Sequence, residues 1–215
     1  IFSGGLGILA GDDLKQASDS NSNMVGIGLL YRYGYFQQKL SSFGDQVDNY
    51  LPQKFSQLPL QPVRDENGDW KRVSIALPGR NMTAKIWRVD VGRIPLYLMD
   101  TDLEENQAQD REVTHKLYGG NWENRLKQEL LLGVGGIRLL NTLGIKPAIF
   151  HANEGHAAFN SIERLNNLMN TYKLNFEDAV EVVRSTTLFT THTPVPAGHD
   201  SFDESLLRKY IPHYS

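Results

Sequence analysis

The feature that most constrains this chain lies in its last third, where short apolar strands alternate with helical patterns. Ala148-Ile149-Phe150 reads as a buried strand, followed by a loop at His151 to Glu154 and a helix from about Gly155 to Asn170. A second helix covers Phe176 to Arg184, with Phe176, Ala179, Val180 and Val183 on one side. Thr187-Leu188-Phe189-Thr190-Thr191 is then a β-branched strand that runs into His192-Thr193-Pro194. Strands alternating with helices imply a parallel sheet with helices on its faces. In such sheets ligands sit beyond the carboxyl ends of the strands, and both histidine-bearing loops immediately follow strands.

Three further blocks precede this one. Ser3-Gly4-Gly5-Leu6-Gly7 leads into a helix from Ile8 to Ser20, with Ser3 placed to cap it and Leu9, Leu14 and Ala17 able to share one face. The Gly-interrupted run Met24 to Leu30 suits a buried strand, and Tyr31 to Gln38 follows. From about 39 to 100 β signals dominate: Asp65-Glu66-Asn67-Gly68-Asp69 is a turn, and Val73–Leu77, Ala84–Val89 and Pro95–Met99 alternate like strands with one solvated face. Leu126, Leu130, Leu131, Val134, Ile137, Leu140 and Leu143 then recur at helical spacing. Gly133, Gly135 and Gly136 fall inside that pattern, where each should cost about 1 kcal/mol relative to Ala, so close packing against another element is expected there.

Composition narrows the function classes. Of 215 residues, 40% are hydrophobic and 22% charged, as in a packed domain, and no run approaches the ~20 apolar residues of a membrane span. Lys and Arg number 22 against 25 Asp and Glu, with no dense basic patch, which argues against a general nucleic-acid binder. The absence of cysteine excludes disulfides and thiolate chemistry and fits a cytoplasmic setting. The chain opens on Ile1 rather than Met and starts at a glycine loop, so it reads as an internal piece of a larger protein.

Three clusters could carry chemistry. In Gly4-Gly5-Leu6-Gly7, residues without Cβ would let backbone amides approach a phosphate at a helix N-terminus; equally, the glycines could simply turn the chain. The spacing is neither Gly-x-Gly-x-x-Gly nor a Walker loop. In His151-Ala152-Asn153-Glu154-Gly155-His156, spacing of five across a loop without a third ligand argues against metal. Asn153, Glu154 and His156 suit a hydroxyl-rich ligand, and His151 reads as a satisfied core histidine. In Thr190 to Asp200, two prolines hold the loop extended, and His192 leaves the strand at the sheet's carboxyl edge. His199-Asp200 lacks the Gly-x-Ser-x-Gly serine of a hydrolase triad, so His199 either fixes the loop or serves the site. Tyr31-Arg32-Tyr33-Gly34-Tyr35-Phe36 reads as a strand packing into its own core, with stacking on sugars as the alternative, and Asp100 to Glu105 as a solvated loop.

Together these clusters resemble the α-glucan (glycogen, starch and maltodextrin) phosphorylases, most closely the bacterial short-loop form. The similarity rests on Ser3 to Asp19, Val25 to Gln37, Asn124-Arg-Leu-Lys-Gln-Glu129, Asn153-Glu-Gly-His-Ala-Ala-Phe159 and Thr191-His-Thr-Pro-Val-Pro-Ala-Gly-His-Asp200, in the family's order. The resemblance implies an α/β fold: a Rossmann-like N-terminal lobe of a two-lobed GT-B type glycosyltransferase, with a small β-rich insertion around residues 39–100. Residues 1–215 would be part of that lobe, without the C-terminal cofactor-binding lobe. It implies phosphorolysis of α-1,4-glucan ends by inorganic phosphate, giving glucose 1-phosphate with retention, and leaves a homodimer open for the full-length form. Gly4, Gly5, Leu6, Gly7 and His192 would hold phosphate and sugar, while Ser3, Asn153, Glu154 and His156 would line the glucan acceptor side; no residue is assigned as acid, base or metal ligand.

The family departs from this chain at several points. Animal members carry Asn where Ser3 stands and Asp where Glu154 stands, and their gate before Arg-Leu-Lys-Gln-Glu is longer than Tyr118-Gly119-Gly120-Asn121-Trp122. The family cofactor is pyridoxal phosphate, whose Schiff-base lysine lies near a Gly-Asn-Met-Lys motif that these residues do not contain. The fragment alone is therefore expected to be inactive. A glycogen or starch synthase-type lobe, which usually carries a Lys close before its glycines, and a non-catalytic glucan-binding fragment are the alternatives.

Overall fold

The computed structural model describes residues 4–117, 119–194 and 200–213 of a mixed α/β chain. The chain divides into two compact units: Ile1–Lys71 with Ala84–Gly119, and Arg72–Thr83 with Gly120–Ser215. Among the described residues no helix is long and apolar enough to cross a membrane.

The first unit opens on α1 (Gly4–Asp19). The helix starts before Ile8, so the glycines form its first turn instead of a loop ahead of it. The first amides of a helix have no intrahelical partner, which makes this turn tolerant of Gly4 at φ +64°. Leu14 and Ala17 are buried as the pattern expects, and Leu9 is half-buried. The strands are β1 (Gly26–Leu29), β2 (Gln37–Leu40), β3 (Gln46–Asn49) and β4 (Gln61–Pro62). β5 (Arg72–Leu77) belongs to the second unit, β6 (Arg80–Val91) begins there and continues into the first, and β7 (Ile94–Asp100) lies in the first.

The strand order is β1–β7–β6–β4. β1 runs parallel to β7 with Gly26 opposite Leu96, whereas β6 and β7 form an antiparallel pair from Lys85↔Asp100 to Val91↔Ile94. β4 is antiparallel to β6, and β2 and β3 make a separate hairpin. This sheet is therefore mixed, with one parallel pair beside antiparallel ones. A Cβ on Gly26 would stand 2.9 Å from Leu96 Cδ1 and 3.2 Å from Leu14 Cδ2, so this bare strand position admits the helix side chain. Leu14, Ala17, Leu30, Phe55, Ile94, Leu96 and Leu98 form the unit's core.

Two local expectations change here. Tyr31 to Phe36 is irregular rather than a strand, and Tyr35 is 68% exposed. The acidic stretch is not wholly solvated: Asp100 is 2% exposed, 3.2 Å from Lys85 Nζ and accepting from Trp87 Nε1 at 3.2 Å. α2 (Ala108–Arg111) completes this region, with Arg111 paired to Asp102 at 2.7 Å. Burial pushes the Asp102 carboxyl up, but hydrogen bonds and charge from Arg111 outweigh that and leave it below its ordinary value.

In the second unit, β5 folds back on the start of β6 through a turn with Gly79 at φ +74°. The Ser74 and Thr83 hydroxyls lie 2.9 Å apart. The helical leucine pattern is interrupted: α3 (Trp122–Leu130), a π-helical turn Leu131–Gly135 and α4 (Gly136–Thr142). A Cβ on Gly133 would meet the backbone of Asn160 at 2.7 Å and Phe159 at 2.8 Å, which is the close packing expected there. β8 (Phe150–Asn153) and β9 (Thr187–Thr190) are parallel, with Asn153 opposite Thr190. Between them come a 3-10 turn at Gly155–Ala157, α5 (Asn160–Thr171) and α6 (Phe176–Ser185); α7 (Glu204–Tyr210) follows. Asn121 and Asn175 cap α3 and α6 by accepting from the amides of Asn124 and Asp178.

Candidate functional site

β8 and β9 end side by side, and their exits hold most of the polar residues singled out from the sequence. β8 begins at Phe150, so Ile149 precedes it and is 57% exposed, while His151 to Asn153 belong to the strand and not to the loop. His151 is an exposed strand residue, its Nε2 2.7 Å from Thr190 Oγ1, and not a core histidine. Alternation along the strand turns its side chain to the opposite face from buried Ala152.

Glu154 follows Asn153 with φ +60° and ψ −175°, a conformation otherwise almost confined to glycine. It is 2% exposed. Its Oε1 accepts from the His192 amide at 2.6 Å, the Thr193 amide at 3.0 Å and the Thr193 hydroxyl at 3.1 Å, and its Oε2 lies 3.4 Å from Thr191 Oγ1. Its own amide donates to the Thr190 carbonyl at 2.9 Å. The His192 amide, then the Thr193 groups, hold the carboxyl below its ordinary value against a smaller opposing effect of burial. The side chain therefore holds the His192 loop instead of standing open toward a glucan. His192 itself is exposed, with Nε2 2.8 Å from Asn153 Oδ1.

His156 stands in a second cluster of the same unit. Arg125 of α3 is buried and donates from Nη2 to His156 Nδ1 at 2.6 Å and to Asp200 Oδ2 at 2.7 Å, with Nε 3.2 Å from Glu129 Oε1. A guanidinium only donates, so His156 Nδ1 accepts and the ring proton sits on Nε2. Burial raises the Glu129 carboxyl, a neighbouring Asp200 adding to the effect, whereas Asp200 lies below its ordinary value because hydrogen bonds from Glu129 and Arg125 outweigh its own desolvation. Glu129, His156 and Asp200 are also the group whose ligand atoms are close enough for a metal ion. Arg125 contacts all three, so the cation of this cluster is its guanidinium.

The sequence points to His156 and places Arg125 and Glu129 within the motif Asn124–Glu129 without a role. The signal for them was their spacing, since i and i+4 on one helix face meet as an ion pair. Gly4 to Gly7 belong to the first unit and His156 and His192 to the second. Gly4 and Gly5 are exposed, and the Gly4 amide donates to the Tyr35 hydroxyl at 2.9 Å. Ser3 and His199 lie outside the described residues.

No family model matches the chain. It is 45% identical over 214 residues, its whole length, to a maltodextrin phosphorylase of Thermococcus litoralis, covering 26% of that protein. It is 48% identical over 217 residues, 98% of the chain, to a glycogen phosphorylase of Mycobacterium tuberculosis, covering 25% of it. A glycogen phosphorylase of Aquifex aeolicus is 37% identical over 195 residues, 91% of the chain and 28% of that protein. The chain thus spans about a quarter of the length of these curated relatives. Identity at this level from end to end makes the chain homologous to one segment of these glycogen and maltodextrin phosphorylases.

Proposed function

We propose that this chain is the part of an α-glucan phosphorylase that holds sugar and phosphate, within the Rossmann-like N-terminal lobe of a GT-B type enzyme that cleaves α-1,4-glucan ends with inorganic phosphate. The observation that carries the reading is the anchored His192: a solvent-exposed imidazole whose backbone and ring are both held by the end of the neighbouring strand. A fixed imidazole beside Asn153 suits hydroxyl recognition. The exposed first turn of α1 at Gly5, next to the Gly4 amide that donates to Tyr35, suits an oxyanion. His156, with its ring set by Arg125, offers a donor at Nε2 for the glucan acceptor side. A glycogen or starch synthase finds no support among the three relatives named above, each a phosphorylase by name.

Pyridoxal phosphate, the family cofactor, would supply a phosphate group for proton transfer beside the substrate phosphate. The residues here do not fit it: no Gly-Asn-Met-Lys motif is present, and the half-buried Lys85 is held by Asp100 at 3.2 Å and by the Asp102 carbonyl at 2.9 Å. The full-length protein is expected to release glucose 1-phosphate from maltoheptaose and phosphate, and to be inactive with ADP- or UDP-glucose. The reverse pattern overturns the reading. Residues 1–215 alone should form no glucose 1-phosphate.

A further inference from the structure

Glu154 combines features that a plain loop residue does not need together. It adopts a glycine-like backbone although a glycine stands beside it at 155. Its carboxylate is buried and directed entirely at residues 191–193. The next residue back, Asn153, takes the ring of the same histidine whose amide Glu154 takes. Two consecutive residues at the end of β8 therefore hold both ends of one histidine at the end of β9, and the unusual φ of Glu154 accompanies a side chain turned back toward that loop instead of out to solvent.

We propose that Glu154 is a positioning residue that sets the orientation of the His192 imidazole, by holding the His192–Thr193 backbone while Asn153 holds the ring. The role in catalysis rests on the phosphorylase reading above; the role in orientation does not. A glutamine at 154 would keep the size but bring an NH2 group toward a cluster of donors, so only one of its two termini could accept. An aspartate keeps the carboxylate one methylene shorter.

The test uses the full-length protein labelled with 15N-histidine, with the His192 ring signals assigned by their loss in His192→Ala. In Glu154→Gln the His192 ring shifts should move, and in Glu154→Asp they should return toward the wild type. With maltoheptaose and phosphate, Glu154→Gln should lower kcat about tenfold or more at a KM within about twofold, because misplacing a group by an ångström acts on the transition state. Glu154→Asp should recover most of the rate. The double variant Glu154→Gln, His192→Ala should be no slower than His192→Ala alone, the mark of two residues acting as one. Unmoved ring shifts, or losses that multiply in the double variant, overturn the positioning role. If the wild type makes no glucose 1-phosphate, the phosphorylase reading fails while the ring shifts still decide the orientation. Should Glu154→Gln not fold, Thr193→Val removes one bond to the carboxylate and carries the same test: ring shifts that stay put overturn the proposal.

Discussion

Arg164 places a guanidinium at 6% exposure in the second unit, where a charge survives only if it is well partnered. It lies 3.9 Å from the centroid of the Phe150 ring and donates to the hydroxyls of Thr187, at 2.7 Å, and Thr186. Burial pushes its pKa down to about 10, so it stays protonated at neutral pH. One side chain from α5 thereby ties the start of β9 to β8. Arg164→Met should lower stability by about 1.5–3 kcal/mol, the range for hydrogen bonds to a charged group, read as a shift of the urea midpoint. An unchanged midpoint would mean that the threonines find other partners.

Glu129 gives a residue-scale pH signature. Its folded-state pKa is raised, chiefly by burial, so its favourable contribution is fully present below the ordinary carboxylate pKa and fades as pH rises through the raised value. Glu129→Gln should therefore gain on the wild type as pH climbs from about 4 toward neutrality, with the ordinary Glu pKa near 4.3 as the lower edge. Urea midpoints of both proteins across that window provide the check, and parallel curves would contradict the raised pKa. Glu123 has the opposite sign. Hydrogen bonds from Lys209 and Tyr210 hold it down, so its contribution is lost as pH falls through the lowered value.

At the scale of elements, two glycines separate two physical reasons for the same residue. Gly68 closes the turn after β4 at φ +85°, and a Cβ there would meet nothing within 4 Å. Gly68→Ala should cost about 1 kcal/mol, from backbone conformation alone. Gly133 has no unusual φ, but the backbone at Phe159 and Asn160 occupies the place of its Cβ. Gly133→Ala should cost about 1–3 kcal/mol through overpacking. The ordering of the two, Gly133 worse than Gly68, is what thermal melts should return. The turn at Gly68 is readable from Asp-x-Asn-Gly-Asp, because turn chemistry is local. The contact at Gly133 was readable as a conflict between glycine and helix, but its partner was not, since that partner lies more than twenty residues away in sequence.

At the scale of the molecule, the second unit is discontinuous in sequence: Arg72–Thr83 joins Gly120–Ser215. Within it Ile75, Leu77 and Met82 are at most 2% exposed, β5 packs on α4 and the π-helical turn, and Arg138 donates to the Ser74 carbonyl at 2.9 Å. Burying three such side chains contributes about 5–9 kcal/mol at the usual value per residue, comparable with the whole stability of a domain. Residues 120–215 expressed alone should show no cooperative urea transition by circular dichroism, and fusing residues 72–83 back through a flexible linker should restore one. A cooperative transition without the hairpin would overturn this dependence.

Local chemistry set the strand at 187–190, helix α6, the turn at 65–69 and the identity of His156 and His192 as polar residues at strand ends, because each depends on neighbours within a few positions. Long-range packing decided the rest. Ile149, Leu188 and Phe189 are more than half exposed, since an apolar run records that a strand favours cover without recording what supplies it. Asp100 is buried because Lys85 and Trp87 reach it from the paired strand. Glu154 became a loop clamp and Arg125 the cation of an acidic cluster only once chain segments tens of residues apart were brought within hydrogen-bonding distance. Residue order carries the periodicities and turns; which charge faces which, and which side chain is left to meet a sugar, is a property of three-dimensional neighbours.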